Sequence, residues 1–288
     1  MTGYSEHYFT APDGVRTYYR RYGAQGAGTK LPVLCMHGLT RNSKDFEEVA
    51  PMIAALGRDV VAIDVRGRGS SDRDPNPENY HPGKYVEDVI GLLGQLGWTR
   101  LVAVGTSMGG LMSMILAAQK PDLLEGVVLN DIGPELDPKG FGRIQTYVGG
   151  TAVFDSWQEA AEAIREINQV AFPKETGDAF WLTFARRVCR QREDGRIVLD
   201  YDPAIATAVK QGNAAPPDLW PFFDALAPAR LLLIRGAITD LLSEETVKKM
   251  EERHPGMRTV NVPDVGHAPL LTEAEAQRAI TEFLHECE

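Results

Sequence analysis

The stretch Leu101-Val102-Ala103-Val104-Gly105-Thr106-Ser107-Met108-Gly109-Gly110 constrains the fold of this chain more than any other. A valine-rich apolar run predicts a short strand, Gly-x-Ser-x-Gly a sharp turn, and Leu111 to Gln119 a helix without breakers. A serine at the apex of so tight a strand-to-helix turn has a strained backbone, and side chains on either side would collide there, so Gly105 and Gly109 stand where a Cβ would not fit. The Ser107 hydroxyl is then lifted above the sheet at a helix N-terminus, where free N–H groups and the helix dipole favour developing negative charge. The bland alternative is a glycine-rich turn with a buried capping serine. The flanking strand and helix argue against it.

The rest of the chain follows the rhythm this element sets. Tyr4 to Phe9 and Val15 to Tyr22 read as a hairpin around Ala11-Pro12-Asp13-Gly14, and Gly23 to Thr29 as a loop. Short apolar runs then alternate with helical segments. Val33 to Met36 predicts a strand ending at His37-Gly38, Asp45 to Leu56 a helix interrupted at Pro51, and Asp59 to Ile63 a strand ending at Asp64. Beyond the glycine-rich loop Val65 to Asp72, Tyr85 to Leu96 has helical spacing, and Gly126 to Leu129 predicts another strand. These runs are apolar throughout, as strands covered on both faces require. The fold class expected is α/β: a doubly wound, mostly parallel sheet entered by an antiparallel hairpin.

Between Pro134 and Ala227 the rhythm breaks, with no strand of the same sort. Ser156 with Glu159 reads as a capping box before Ala160 to Phe172, and Asp178 as a cap for Ala179 to Arg190. The sheet resumes with Arg230 to Ile234 and Thr259 to Val262, Ser243 caps a helix over Glu244 to Arg253, and Thr272 with Glu275 opens the last helix. The division expected is therefore a core of residues 1–133 and 228–288 carrying a helical cap, or lid, of residues 134–227 over the carboxyl edge of the sheet. The alternative places these helices at the side of the sheet.

A chain of 288 residues can bury a large core. Its net charge of −10 argues against nucleic acid and against an anionic membrane surface as partners. No basic segment followed by an apolar run opens the sequence, and no apolar run approaches the roughly 20 residues of a membrane helix. The 3 cysteines, Cys35, Cys189 and Cys287, are scattered, which suits a reducing cytoplasm, with Cys35 a small core residue. No Cys/His cluster has metal-ligand spacing, so neither metal nor cofactor is expected. The partner expected is a small-molecule substrate, and the protein a monomer or homodimer.

A serine hydroxyl needs a base, and the base a third group to orient it. Of six histidines, His37 and His267 alone follow sheet strands; His267, after the last strand and beside Gly266, is the preferred base. His37 reads instead as a residue that bonds its loop in place. For the acid, Asp240 follows the penultimate strand and is preferred, while Asp131, right after the strand next to the nucleophile, is the alternative; a structural ion pair is expected of Asp64. The oxyanion donors expected are the N–H groups of Leu39 and Met108.

With His37-Gly38-Leu39, Asp64-x-Arg66-Gly67-x-Gly69-x-Ser71, Gly105-Thr106-Ser107-Met108-Gly109-Gly110, Gly236-x-x-x-Asp240 and Gly266-His267 in this order, the chain resembles the α/β-hydrolase fold family. Within it, the resemblance is to cap-bearing carboxylesterases, lactonases, meta-cleavage C–C hydrolases and cofactor-free haloperoxidases. It implies Ser107 as nucleophile, His267 as base, Asp240 as acid, and Leu39 and Met108 as oxyanion donors. Members that open epoxides or remove halides carry Asp where Ser107 stands, which disfavours those chemistries. The activity expected is cleavage of an ester-like bond through an acyl-enzyme. A C–C hydrolase, acyl transfer to another acceptor, and a hydrolase-fold receptor with slow turnover are the other readings.

For the substrate pocket, Phe141, Tyr147, Trp157 and Trp181 are the candidates, with Phe180 and Phe184 as further aromatics; each could instead be core of the lid. Arg186, Arg187, Arg190 and Arg192 could meet a substrate carboxylate, but a solvated helix face is the preferred reading.

Overall fold

The strands at the centre of the main sheet bury both of their faces, and that is what the unbroken apolar runs encode. Leu34, Met36, Ala103, Val127, Leu129, Leu231 and Leu233 pack on one side, while Val33, Cys35, Val102, Val104, Val128, Leu232 and Ile234 pack on the other. The computed structural model describes residues 3–25, 30–207 and 218–287. The end of the loop expected over Gly23 to Thr29 and ten residues of the expected lid, 208–217, lie outside the described residues.

The sheet has eight strands: β1 (Ser5–Thr10), β2 (Arg16–Tyr22), β3 (Val33–Met36), β4 (Val60–Ile63), β5 (Leu101–Thr106), β6 (Leu124–Asn130), β10 (Arg230–Gly236) and β11 (Arg258–Val262). Their spatial order is β1-β2-β4-β3-β5-β6-β10-β11. β1, β2 and β4 pair antiparallel, and every pairing from β4 through β11 is parallel. Helices α1 (Val49–Ala55), α2 (Pro82–Leu96), α3 (Met108–Gln119), α8 (Glu244–Arg253) and α9 (Ala274–Glu286) cover the faces. This is the fold class expected from the sequence. Because β5 lies between β3 and β6, the loops after these three strands and after β10 and β11 share one rim.

Between β6 and β10 the chain forms α4 (Pro138–Tyr147), α5 (Trp157–Asn168), α6 (Asp178–Val188) and α7 (Trp220–Asp224). It also forms a sheet that the sequence does not announce, of β7 (Val153–Phe154), β8 (Cys189–Gln191) and β9 (Ile197–Leu199), in the antiparallel order β7-β9-β8. Two or three residues per strand are too few to show an alternating pattern. The segment has its own core, with Phe154, Ile164, Phe172, Trp181, Phe184 and Val188 buried together.

Local signals held unevenly. The Ser156 and Ser243 hydroxyls accept from the N–H groups of Glu159 and Thr246, as their sequence contexts predict. Asp178 and Thr272 do not cap: the N-cap positions are Gly177 and Glu273, neither with a side-chain cap bond, and the Glu273 carboxylate accepts from the Leu270 N–H instead. The helix expected over Asp45 to Leu56 splits into a 3-10 turn at Ser43–Phe46 and α1, with Pro51 in the first turn of α1, where its missing N–H costs nothing. Among the described residues no helix is long and apolar enough to cross a membrane, and no group of three or more His, Cys, Asp or Glu could hold a metal ion.

Candidate active site

Ser107 occupies the turn between β5 and α3 with φ 50° and ψ −113°. That conformation is rare for a residue with a side chain, and it persists because the surroundings leave no alternative. A Cβ on Gly105 would lie 2.4 Å from the Gly109 carbonyl carbon, and one on Gly109 would lie 2.0 Å from the Met36 carbonyl oxygen. The two glycines thus let the turn close against β3, and the Ser107 Oγ faces the rim.

His267, in the loop after β11, places Nε2 2.9 Å from the Ser107 Oγ, and its Nδ1 is 2.7 Å from the Asp131 Oδ2. A carboxylate can only accept, so Nδ1 carries the ring hydrogen and Nε2 is left with its lone pair facing the serine hydroxyl. Asp131 is fully buried. Its Oδ1 accepts from the Gly236 N–H at 2.9 Å and its Oδ2 also from the Thr239 hydroxyl at 2.6 Å, so both oxygens are fixed.

Asp240, the acid preferred from the sequence, does not make this contact, and that expectation is corrected. Its carboxylate is held in a two-bond fork by Arg143 of α4, at 2.7 and 2.9 Å. The Arg143 guanidinium keeps it below the usual carboxylate range. Asp131, just after the strand that adjoins β5, reaches His267, while Asp240 ties α4 to the loop after β10. The Thr239 hydroxyl is a third partner of the Asp131–His267 arrangement that sequence reasoning missed.

His37 is buried and structural. Its Nδ1 donates to the Gly38 carbonyl at 2.7 Å and its Nε2 accepts the Val65 N–H at 3.0 Å. Burial drives its pKa down to about 3, which keeps it neutral and able to make both bonds. Among the described residues Asp64 has no ion-pair partner, contrary to expectation. Its two oxygens accept the N–H groups of Ser43 at 2.6 Å and Ser70 at 2.8 Å, and burial pushes its pKa up to about 6. Both groups brace the loops that carry Leu39 and the Arg-Gly motif.

A cavity of about 500 Å³ opens onto Ser107 and His267. Leu39 and Met108 line it, and among the described residues neither backbone N–H has an acceptor. Phe141 and Tyr147 line it as expected, joined by Ile164, Phe172 and Phe184. Trp157 and Trp181 do not, and those two expectations are corrected. Trp181 is buried within the inserted segment, against Phe172, Phe180 and Phe184, with its indole N–H on the Glu175 carbonyl. Trp157 lies under the Arg186 guanidinium, 4.8 Å from its ring centre.

Arg186, Arg187, Arg190 and Arg192 also lie away from the cavity walls. Arg187 pairs with Glu48, Arg190 with Asp200 at 3.6 Å and Arg192 with Asp194 at 3.0 Å. The charged side chains on its walls are the pair Arg41–Asp45, whose guanidinium and carboxylate neutralise each other at 2.8 Å while Arg41 stacks 4.3 Å from the Phe184 ring centre. The remaining walls are largely aliphatic and aromatic, so the cavity suits an apolar ligand.

The model of the α/β hydrolase fold matches residues 32–274. The chain belongs to the α/β-hydrolase family. It is 36% identical over 259 residues to the 3-hydroxybutyrate-oligomer hydrolase of Cupriavidus necator, covering 86% of each protein. It is 27% identical over 285 residues to the 2-(acetamidomethylene)succinate hydrolase of Mesorhizobium japonicum, covering 97% of this chain and 96% of that one. Among solved structures, an α/β hydrolase from Novosphingobium aromaticivorans superposes with a TM-score of 0.92 at 42% identity over 99% of both chains. This α/β hydrolase is thus an enzyme whose characterised relatives are named hydrolases.

Proposed function

We propose that this hydrolase cleaves carboxylic esters through an acyl-enzyme, with Ser107 as nucleophile, His267 as base and Asp131 as the acid that orients it. One observation carries the reading: the unbroken relay from the Ser107 Oγ to His267 at 2.9 Å and from His267 to Asp131 at 2.7 Å. Ser107 attacks the ester carbonyl as His267 Nε2 takes its proton. The tetrahedral oxyanion lies against the N–H groups of Met108 and Leu39, donors already in place before the charge appears. Collapse expels the alcohol, which leaves with the proton from His267. Water, deprotonated by the same nitrogen, then releases the acid.

The segment 134–227 acts in this reading as a cap over the core of residues 1–133 and 228–288. Its Ile164, Phe172 and Phe184 line the same cavity as Ser107, which supports that role. The apolar walls and the self-neutralised Arg41–Asp45 pair favour an uncharged or singly charged aliphatic ester over a dicarboxylate. The similarity to a 3-hydroxybutyrate-oligomer hydrolase supports an ester, since oligomers of a hydroxy acid are ester-linked.

The test is turnover of short 4-nitrophenyl esters together with labelling by a fluorophosphonate. Multiple turnovers by the native protein, with both turnover and labelling abolished in Ser107→Ala, are the expected result. Activity near that of the native protein in Ser107→Ala would remove the nucleophile from the scheme, and tight ester binding with a single turnover would favour a receptor.

A further inference from the structure

The loop Val65 to Asp72 sends two arginines into the interior, and they meet opposite fates. Arg66 is neutralised threefold, by Asp88 at 2.6 Å, by Asp13 at 3.0 Å and by Asp74. Arg68 is as deeply buried, at 1% exposure, yet among the described residues it has no carboxylate partner. The stretch 208–217 contains no Asp or Glu. A buried cation without a counter-ion is costly, and such an arrangement is retained where the charge or its fork is used.

What Arg68 touches indicates the use. Its Nε donates to the Leu39 carbonyl at 3.0 Å, one terminal nitrogen donates to the Arg66 carbonyl at 2.8 Å and to the Tyr85 hydroxyl at 2.9 Å, and the other lies 3.8 Å from the Met108 sulfur. Its guanidinium carbon lies 4.8 Å from the Tyr85 ring centre. One side chain thus bridges Leu39 and Met108, the two residues whose N–H groups receive the oxyanion in the reading above.

We propose that Arg68 is a positioning residue for the oxyanion hole, its fork fixing the Leu39 backbone against Met108 and its uncompensated charge favouring the tetrahedral oxyanion over the neutral ester. The proposal rests on Ser107 being the nucleophile. Because the effect is felt where charge develops, it belongs to kcat more than to KM. Arg68 donates no hydrogen bond to the oxyanion in this scheme, so its removal weakens catalysis by about tenfold, less than the loss of a direct oxyanion donor.

The experiment compares Arg68→Met and Arg68→Lys with the native protein for hydrolysis of 4-nitrophenyl butyrate, affinity for butylboronic acid, which forms a tetrahedral adduct on serine, and urea midpoint. The expected result is a fall in kcat of about tenfold for R68M with KM within about twofold, a matching fall in boronate affinity, and an intermediate fall for R68K, which keeps the charge and loses the fork. Native kcat and boronate affinity in a folded R68M would overturn the proposal. If R68M does not fold, R68K decides: native values there overturn it, and a parallel fall in kcat and boronate affinity supports it. Ser107→Ala separates the two readings, because its retaining activity would refute the hydrolase scheme itself, whereas an inactive S107A beside a fully active R68M refutes only the role of Arg68.

Discussion

The rim of the main sheet and the segment between β6 and β10 position their residues by different physics. On the rim, each candidate catalytic group sits beyond a strand of the main sheet: Ser107 and Asp131 follow β5 and β6, whose register is fixed by neighbours on both sides, and His267 follows the edge strand β11, which is held by β10. In the segment, position comes from a small aromatic core and from ties to the rim, such as the Asn42 amide on the Arg187 carbonyl at 2.9 Å and the Gly266 N–H on the Ala171 carbonyl at 2.7 Å. A strand end is written locally in sequence. A tie across 145 residues is not.

The largest effect that sharpens this contrast is expected from the two aspartates. Asp131→Asn should lower kcat on a 4-nitrophenyl ester by about a thousandfold or more, because an amide at this place no longer holds the base in its working tautomer. Asp240→Asn, assayed in parallel, should leave kcat within about threefold, since that carboxylate serves Arg143. Equal losses in the two variants would mean that the relay seen at Asp131 is not the one used.

This pair also marks how much was legible. The fold class, the sharp turn at Ser107, the place of His267 beside it on the rim and the loop bonds of His37 could be read because each depends on residues next to it in sequence. The acid could not be settled that way: Asp131 and Asp240 both follow rim strands, and what separates them is Arg143, whose approach depends on how α4 packs. Trp157 and Trp181 illustrate the same limit. Helical spacing places an aromatic on a face, and only packing tells whether that face meets the cavity or its own core. A deletion inside that core tests it: Trp181→Ala should cost about 3–5 kcal/mol in urea unfolding. Proteolysis should begin within residues 134–227 while the sheet persists, and a loss below about 1 kcal/mol would show that the segment does not depend on this core.

The rim, unlike that aromatic core, holds buried groups that titrate, so acid should tell the two regions apart. His37 is held neutral, with a pKa near 3 in the fold against an ordinary 6.5. Its contribution to stability is therefore fully present above about pH 6.5 and is lost as pH falls from there toward 3, as the unfolded chain takes the proton first. Asp64 has the opposite sign: raised from 3.8 to about 6, it contributes fully below about pH 4 and loses that contribution as pH rises through 6. Urea midpoints from pH 4 to 7.5 should show the advantage of native protein over His37→Gln shrinking toward acid, and that over Asp64→Asn shrinking toward neutrality. Trp181→Ala should track the native profile at a constant offset. Parallel curves for all four proteins would mean that neither rim group is held as described.

The smallest expected effect lies where the two regions meet. The Arg143–Asp240 fork joins α4 to the loop after β10, and both side chains keep some contact with water, at 21% and 15% exposure. Solvent screening reduces its strength, so a double-mutant cycle over Arg143→Met and Asp240→Asn should return a coupling of about 1 kcal/mol in urea unfolding. The kinetic consequence distinguishes a tie from a catalytic part. If the fork only seats α4, each single variant raises KM for a long-chain ester more than for an acetyl ester, because Phe141 and Tyr147 on that helix line the cavity, while kcat for the acetyl ester stays near native. A fall in kcat that is equal for both esters, and is absent when both partners are replaced together, would instead assign Asp240 an electrostatic effect on His267 and erase the division drawn between the rim and the segment above it.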